Sequence, residues 1–69
     1  MVEVFKTNIQ DKTTVYLITE ELSMLFPDSR INFDLDDCDK ILRVESEIVI
    51  PEEVVKILTY KGFFCEVLE

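Results

Sequence analysis

Apolar residues in this chain recur at two different periods, and the order in which those periods alternate restricts the fold to very few arrangements. Val15, Ile18, Leu22 and Leu25 are spaced by three, four and three residues, one stripe of a helix. Val54, Ile57, Leu58 and Lys61 trace a second such stripe, with the lysine stem lying along its edge. Around these stretches stand short runs of strand character. Val2 to Thr7 and Phe63 to Leu68 open and close the chain, and Arg30 to Leu35 and Lys40 to Glu45 separate the helices.

The punctuation between runs agrees with this division. Asp11 suits a helix N-cap, because its carboxylate can accept N–H groups of the first turn. Pro27 follows Leu25 closely, and the residue before a proline resists helical geometry, so the first helix is predicted over about residues 12–25. Asp36-Asp37-Cys38-Asp39 reads as a turn, short enough to make its flanking strands an antiparallel hairpin. Pro51 fits the first position of the second helix, Glu52 and Glu53 complement its dipole, and Gly62 suits a left-handed cap at its end.

Strand, helix, hairpin, helix, strand is the split βαβ arrangement, whose right-handed crossovers place both helices on one face of the sheet. The fold expected is α+β, a ferredoxin-like βαββαβ two-layer sandwich with a four-stranded antiparallel sheet in spatial order 4-1-3-2. Residues 1–69 make one domain, near the lower size at which a single core sustains folding. The predicted core contains Val15, Ile18, Leu22, Ile31, Phe33, Leu42, Val44, Val54, Leu58, Cys65 and Val67.

Charge and composition exclude several functions. Fifteen acidic residues against seven basic ones give a net charge of −8, and no basic stripe is present to neutralise phosphates. Nucleic acid is therefore not an expected partner, and an anionic membrane surface is disfavoured for the same reason. No apolar run approaches the roughly 20 residues of a membrane span. Two cysteines, with no leader-like stretch at Met1, fit a soluble cytoplasmic protein better than a disulfide-stapled secreted one. Histidine is absent, and with it the usual proton-transfer and nucleophile-activating partner, so no catalytic residue is assigned and an enzyme is not expected.

At the level of residue pattern the chain resembles the heavy-metal-associated domain family, the copper chaperones and small modules of copper-transporting P-type ATPases. The likeness runs through Val15, Ile18 and Leu22, through Ile31-Asn32-Phe33-Asp34-Leu35, and through Pro51 to Leu58 with Gly62-Phe63. It covers nearly the whole length and implies the same fold. The family's G-M-x-C-x-x-C signature falls on Asn8 to Thr14, where Ile9 replaces the buried methionine and Asp11 and Thr14 replace the two cysteines. A carboxylate and a neutral hydroxyl are hard, weak ligands where Cu(I) selects thiolates. No metal site and no cofactor are therefore carried over, and capping explains both residues.

Other ligand sets fare little better. Cys65 is predicted to point inward as a small hydrophobe, and Cys38 to sit in the exposed hairpin turn among acids that slow its attack as a thiolate. The aspartates of the Asp34–Asp39 turn lack the glycine and the terminal glutamate spacing of a calcium loop; weak divalent binding there is the only calcium-like expectation. What remains is a non-catalytic module for protein interaction or self-association. If Val2 and Val4 face the helices, then Phe5, Ile41, Phe64 and Leu68 form an apolar patch on the open sheet face, bordered by Glu3, Arg43 and Glu66. The alternative is a metal-handling protein using oxygen ligands or Cys38.

Overall fold

The computed structural model describes residues 1–68 and contains the six elements in the expected order. β1 spans Val2–Thr7, α1 Lys12–Leu25, β2 Arg30–Asp34, β3 Ile41–Glu45, α2 Pro51–Tyr60 and β4 Cys65–Leu68. The strands form one sheet in the order β2-β3-β1-β4, every pairing antiparallel. This is the ferredoxin-like α+β arrangement. α1 packs over β2 and α2 over β4, so the two helices cover the two halves of one sheet face.

Between the layers lies a single core of Phe5, Ile9, Ile18, Leu22, Phe26, Leu42, Val44, Val49, Val54 and Leu58. Val15, Ile31, Phe33, Cys65 and Val67 pack against it and are partly buried. Ile18, Leu22, Val54 and Leu58 of the helical stripes and the inward residues of β3 thus stand where their spacing places them. Leu25, expected to end the α1 stripe, is instead 44% exposed, and Phe26 takes the core place one turn after Leu22. Ile9 and Val49 lie outside the regular elements, where no periodicity announces them, whereas Phe26, the C-cap of α1, continues the Ile18–Leu22 line by one more turn.

Phe5 is the principal correction. It is fully buried, not on the open face. Directly opposed residues of paired strands share a face, and Phe5 lies opposite Leu42 on β3 and Val67 on β4. Both neighbours point into the core, so Phe5 does too. Val2 and Val4 are consequently on the other face, Val2 about half exposed, and Glu3 shares the parity of Phe5. Placing Val2 and Val4 against the helices gives the opposite parity, but cross-strand register decides it.

Local bonding explains where the elements stop. α2 ends in a Schellman motif: Phe63 N–H donates to the Leu58 carbonyl at 2.9 Å and Gly62 N–H to that of Thr59 at 3.0 Å. Gly62 takes φ 93°, a left-handed conformation that glycine enters without a Cβ penalty. β4 begins only at Cys65 because the Phe64 N–H is bonded to the side chain of Asn8, at 2.9 Å, in place of a strand partner. Lys40, expected to open β3, instead closes the hairpin turn with φ 47°. Its N–H donates to the Asp37 carbonyl and its ammonium group to the Leu35 carbonyl.

Candidate functional site

The β1–α1 junction is where the resemblance would place a metal loop, and the side chains of Thr7, Asn8, Asp11 and Thr14 there are committed to bonds within the fold. Asp11 is the N-cap of α1 in extended geometry. Its Oδ2 accepts the Thr14 N–H at 3.2 Å, and its Oδ1 accepts the Thr14 hydroxyl at 2.6 Å. The hydroxyl bond, and then the backbone bond, hold the Asp11 carboxyl below its ordinary value of 3.8. Asn8 holds Phe64, as described. Thr7 is nearly fully buried, donates its hydroxyl to the Lys40 carbonyl at 2.6 Å and accepts the Ile9 N–H at 3.2 Å. Ile9 is inserted in the core. The junction therefore ties β1 to the hairpin and to β4.

The hairpin turn uses its carboxylates in a similar way. Asp34 Oδ1 accepts the Asp36 N–H at 3.2 Å, and Asp37 Oδ1 accepts the Asp39 N–H at 2.8 Å. These are Asx turns, the local bonding for which turns favour aspartate. Asp39 also lies 3.5 Å from the Lys6 ammonium group. Asp37, Cys38 and Asp39 each place a ligand atom within 4.8 Å of the others, on a largely exposed surface. Asp34 is outside that group.

The cysteines do not meet. Cys38 is exposed in the turn beyond β2, whereas Cys65 lies on β4 at the opposite edge of the sheet. Burial pushes the Cys65 thiol up to about 11, so it is a neutral side chain packed against the core.

The uncovered sheet face carries a different set of residues. Register gives three rows across it: Arg30, Glu45 and Val2; Asn32, Arg43, Val4 and Leu68; Asp34, Ile41, Lys6 and Glu66. Ile41 and Leu68 are there as expected, both partly buried, and Val4 takes the central place assigned to Phe5. Phe64 is 47% exposed and just precedes β4, at the margin of the face. Charges interleave with the apolar residues in equal numbers, Lys6, Arg30 and Arg43 against Asp34, Glu45 and Glu66. The acid excess of the chain lies elsewhere.

On the opposite side of the molecule, α1 and α2 flank a groove of about 740 Å³. Leu17, Met24, Leu25, Ile57 and Tyr60 line it, and the Lys61 ammonium group reaches the Glu21 carboxylate at 2.7 Å. The sequence carries a signal for this groove, although the core stripes obscure it. Leu17 and Met24 are seven residues apart, an apolar line on α1 beside the one facing the sheet, and Tyr60 stands three residues from Ile57 at the edge of the α2 stripe.

Among the described residues, no helix is long and apolar enough to cross a membrane. No family model, curated protein or solved structure matches the chain.

Proposed function

We propose that this chain is a non-catalytic protein-binding module, related to the heavy-metal-associated domains but without their soft-metal pair, and that it self-associates through its open sheet face. The observation that supports this most is the register that gathers Val2, Val4, Ile41 and Leu68 on the one sheet face without helices. An antiparallel sheet with one uncovered face has that face free for a partner. A chain of net charge −8 repels copies of itself in general. Three acids and three bases on this face remove that objection locally, and a two-fold contact would set the bases of one copy against the acids of the other.

The contact is weak by size. Four strands about 4.8 Å apart and five residues about 3.3 Å long give a plan area of roughly 300 Å². Stable complexes bury about 800 Å² per partner, so a transient dimer is the form this surface supports. Sedimentation of the wild type and of Val4→Glu tests the reading. Val4→Glu is expected to remain folded and monomeric while the wild type dimerises with rising concentration. A wild type that stays monomeric throughout, or a dimer indifferent to Val4→Glu, contradicts it.

The rival reading, metal handling at the hairpin turn, draws on the mutual approach of Asp37, Cys38 and Asp39. Asx bonding and Lys6 already occupy the two carboxylates, which weighs against it.

A further inference from the structure

We propose that the groove between α1 and α2 is a docking site for an amphipathic helix of a second, basic protein. Four of the ten exposed large apolar side chains among the described residues converge there: Leu17 at 55%, Met24 at 83%, Leu25 at 44% and Tyr60 at 91%. Ile57 forms the partly covered floor. Single exposed apolar residues are ordinary on protein surfaces, but a concave cluster of them marks a binding groove.

The walls decide what conformation the occupant has. Both are helices, whose central N–H and C=O groups are bonded within the helix. An extended peptide laid here would find no main-chain partners for its own polar groups and would leave them unsatisfied against an apolar surface. A helix satisfies its backbone internally and presents only side chains. From Leu17 to Leu25 the wall is about 12 Å long at 1.5 Å per residue, so two to three turns of a partner helix fill it. Its contact face then repeats at i, i+3 or i+4, and i+7.

Charge decides what flanks that face. Glu20, Glu21 and Glu53 stand on the rim. Glu21 is already paired with Lys61, whereas Glu20 and Glu53 make no ion pair among the described residues. Lys56 is the other cation of the rim. Glu20 accepts the Tyr16 hydroxyl at 3.0 Å. Three carboxylates against Lys56 and Lys61 leave the rim with one excess negative charge, which on a chain of net charge −8 favours lysine or arginine beside the apolar positions. A second copy of this chain brings eight more net negative charges to a rim that is itself net negative, so self-association through the groove is disfavoured.

The test selects helical 14-residue peptides from a displayed library on the wild-type protein, with a counter-selection on Leu17→Ser/Met24→Ser. Both positions are exposed, so the double variant keeps its fold, checked by circular dichroism and melting temperature. Enriched peptides are expected to show apolar residues at i, i+3 or i+4, and i+7 with basic flanks. A synthesised representative should bind the double variant at least about tenfold more weakly than the wild type, the effect of removing anchor residues. Its amide shift changes should lie on α1 and α2 and be unaltered by Val4→Glu, which separates this site from the sheet face. Enrichment without the helical spacing, acidic flanks, equal binding to the double variant, or shifts on the sheet face each overturn the proposal. So does a wild-type dimer that Leu17→Ser/Met24→Ser abolishes, because the occupant would then be a second copy.

Discussion

Thr14 closes on Asp11 twice across the first turn of α1, its hydroxyl at 2.6 Å and its N–H at 3.2 Å from the two carboxylate oxygens. On the proposed relationship to the heavy-metal-associated domains, these two positions would correspond to the metal-binding cysteines. Here the pair is satisfied internally, so the helix start that would present ligands outward instead stabilises itself.

That closure makes a pH-dependent prediction. The folded-state pKa of Asp11 is depressed, so its stabilising contribution is present above about 3.8, the unfolded value, and is lost as pH falls through the lower folded value. Asp11→Asn should melt below the wild type at neutral pH. Thermal melts taken downward from pH 5 should show the gap closing only beneath pH 3.8. A gap of constant size down to pH 2 would mean that the carboxylate charge has no part in the cap.

The face assignment of β1 predicts opposite outcomes for adjacent residues. Phe5 is fully buried between Leu42 and Val67, and truncating such a residue costs about 3–5 kcal/mol. A domain of this size has a total stability of roughly 3–10 kcal/mol. Phe5→Ala should therefore be marginally folded, and Phe5→Glu unfolded, by urea denaturation. Val4→Glu should stay close to wild type. Equal tolerance at both positions would show the parity to be wrong.

Thr7 predicts a cost for losing a single oxygen. Thr7→Val keeps the shape but leaves the Lys40 carbonyl and the Ile9 N–H without their partner. An abandoned buried polar group costs about 1–3 kcal/mol, to be read from the denaturation midpoint. Thr7→Ser, which retains the hydroxyl, should recover most of the loss.

The cysteines should differ sharply in reactivity. Cys38 is exposed, whereas Cys65 is packed against the core with its thiol held up to about 11. Brief iodoacetamide treatment at neutral pH, followed by mass spectrometry, is expected to modify Cys38 and spare Cys65 until the protein is unfolded. Titration against a competing chelator should find no stoichiometric Cu(I) or Zn(II) at micromolar affinity, since no thiolate or imidazole pair converges among the described residues. Tight uptake abolished by Cys38→Ser would favour the hairpin turn as a metal site.

The elements and their order were legible because each helix carries its own period and punctuation. Asp11 and Pro51 mark the starts, and Gly62 marks the end of α2, by mechanisms that act within a few residues. The face of β1 was not legible in the same way. Val2, Val4 and Phe5 are all good strand residues, and only the pairing of Phe5 with Leu42 and Val67, far away in sequence, chooses between two parities. Ile9 and Val49 enter the core from loops, where no repeat exists to reveal them, and Phe26, one turn after Leu22, is missed when the α1 stripe is ended at Leu25. The helix groove was obscured for a related reason: Leu17, Met24 and Tyr60 lie beside the stronger core stripes.

Amide chemical shifts of the labelled wild type, recorded through a dilution series from about 1 mM, address the central claim most directly. That concentration suits an interface well below the size of a stable complex. Concentration-dependent shifts are predicted at Val4, Lys6, Ile41, Arg43 and Leu68, with α1 and α2 unmoved. Shifts concentrated on the helices, or spectra that do not change across the series, would contradict self-association through the open sheet face.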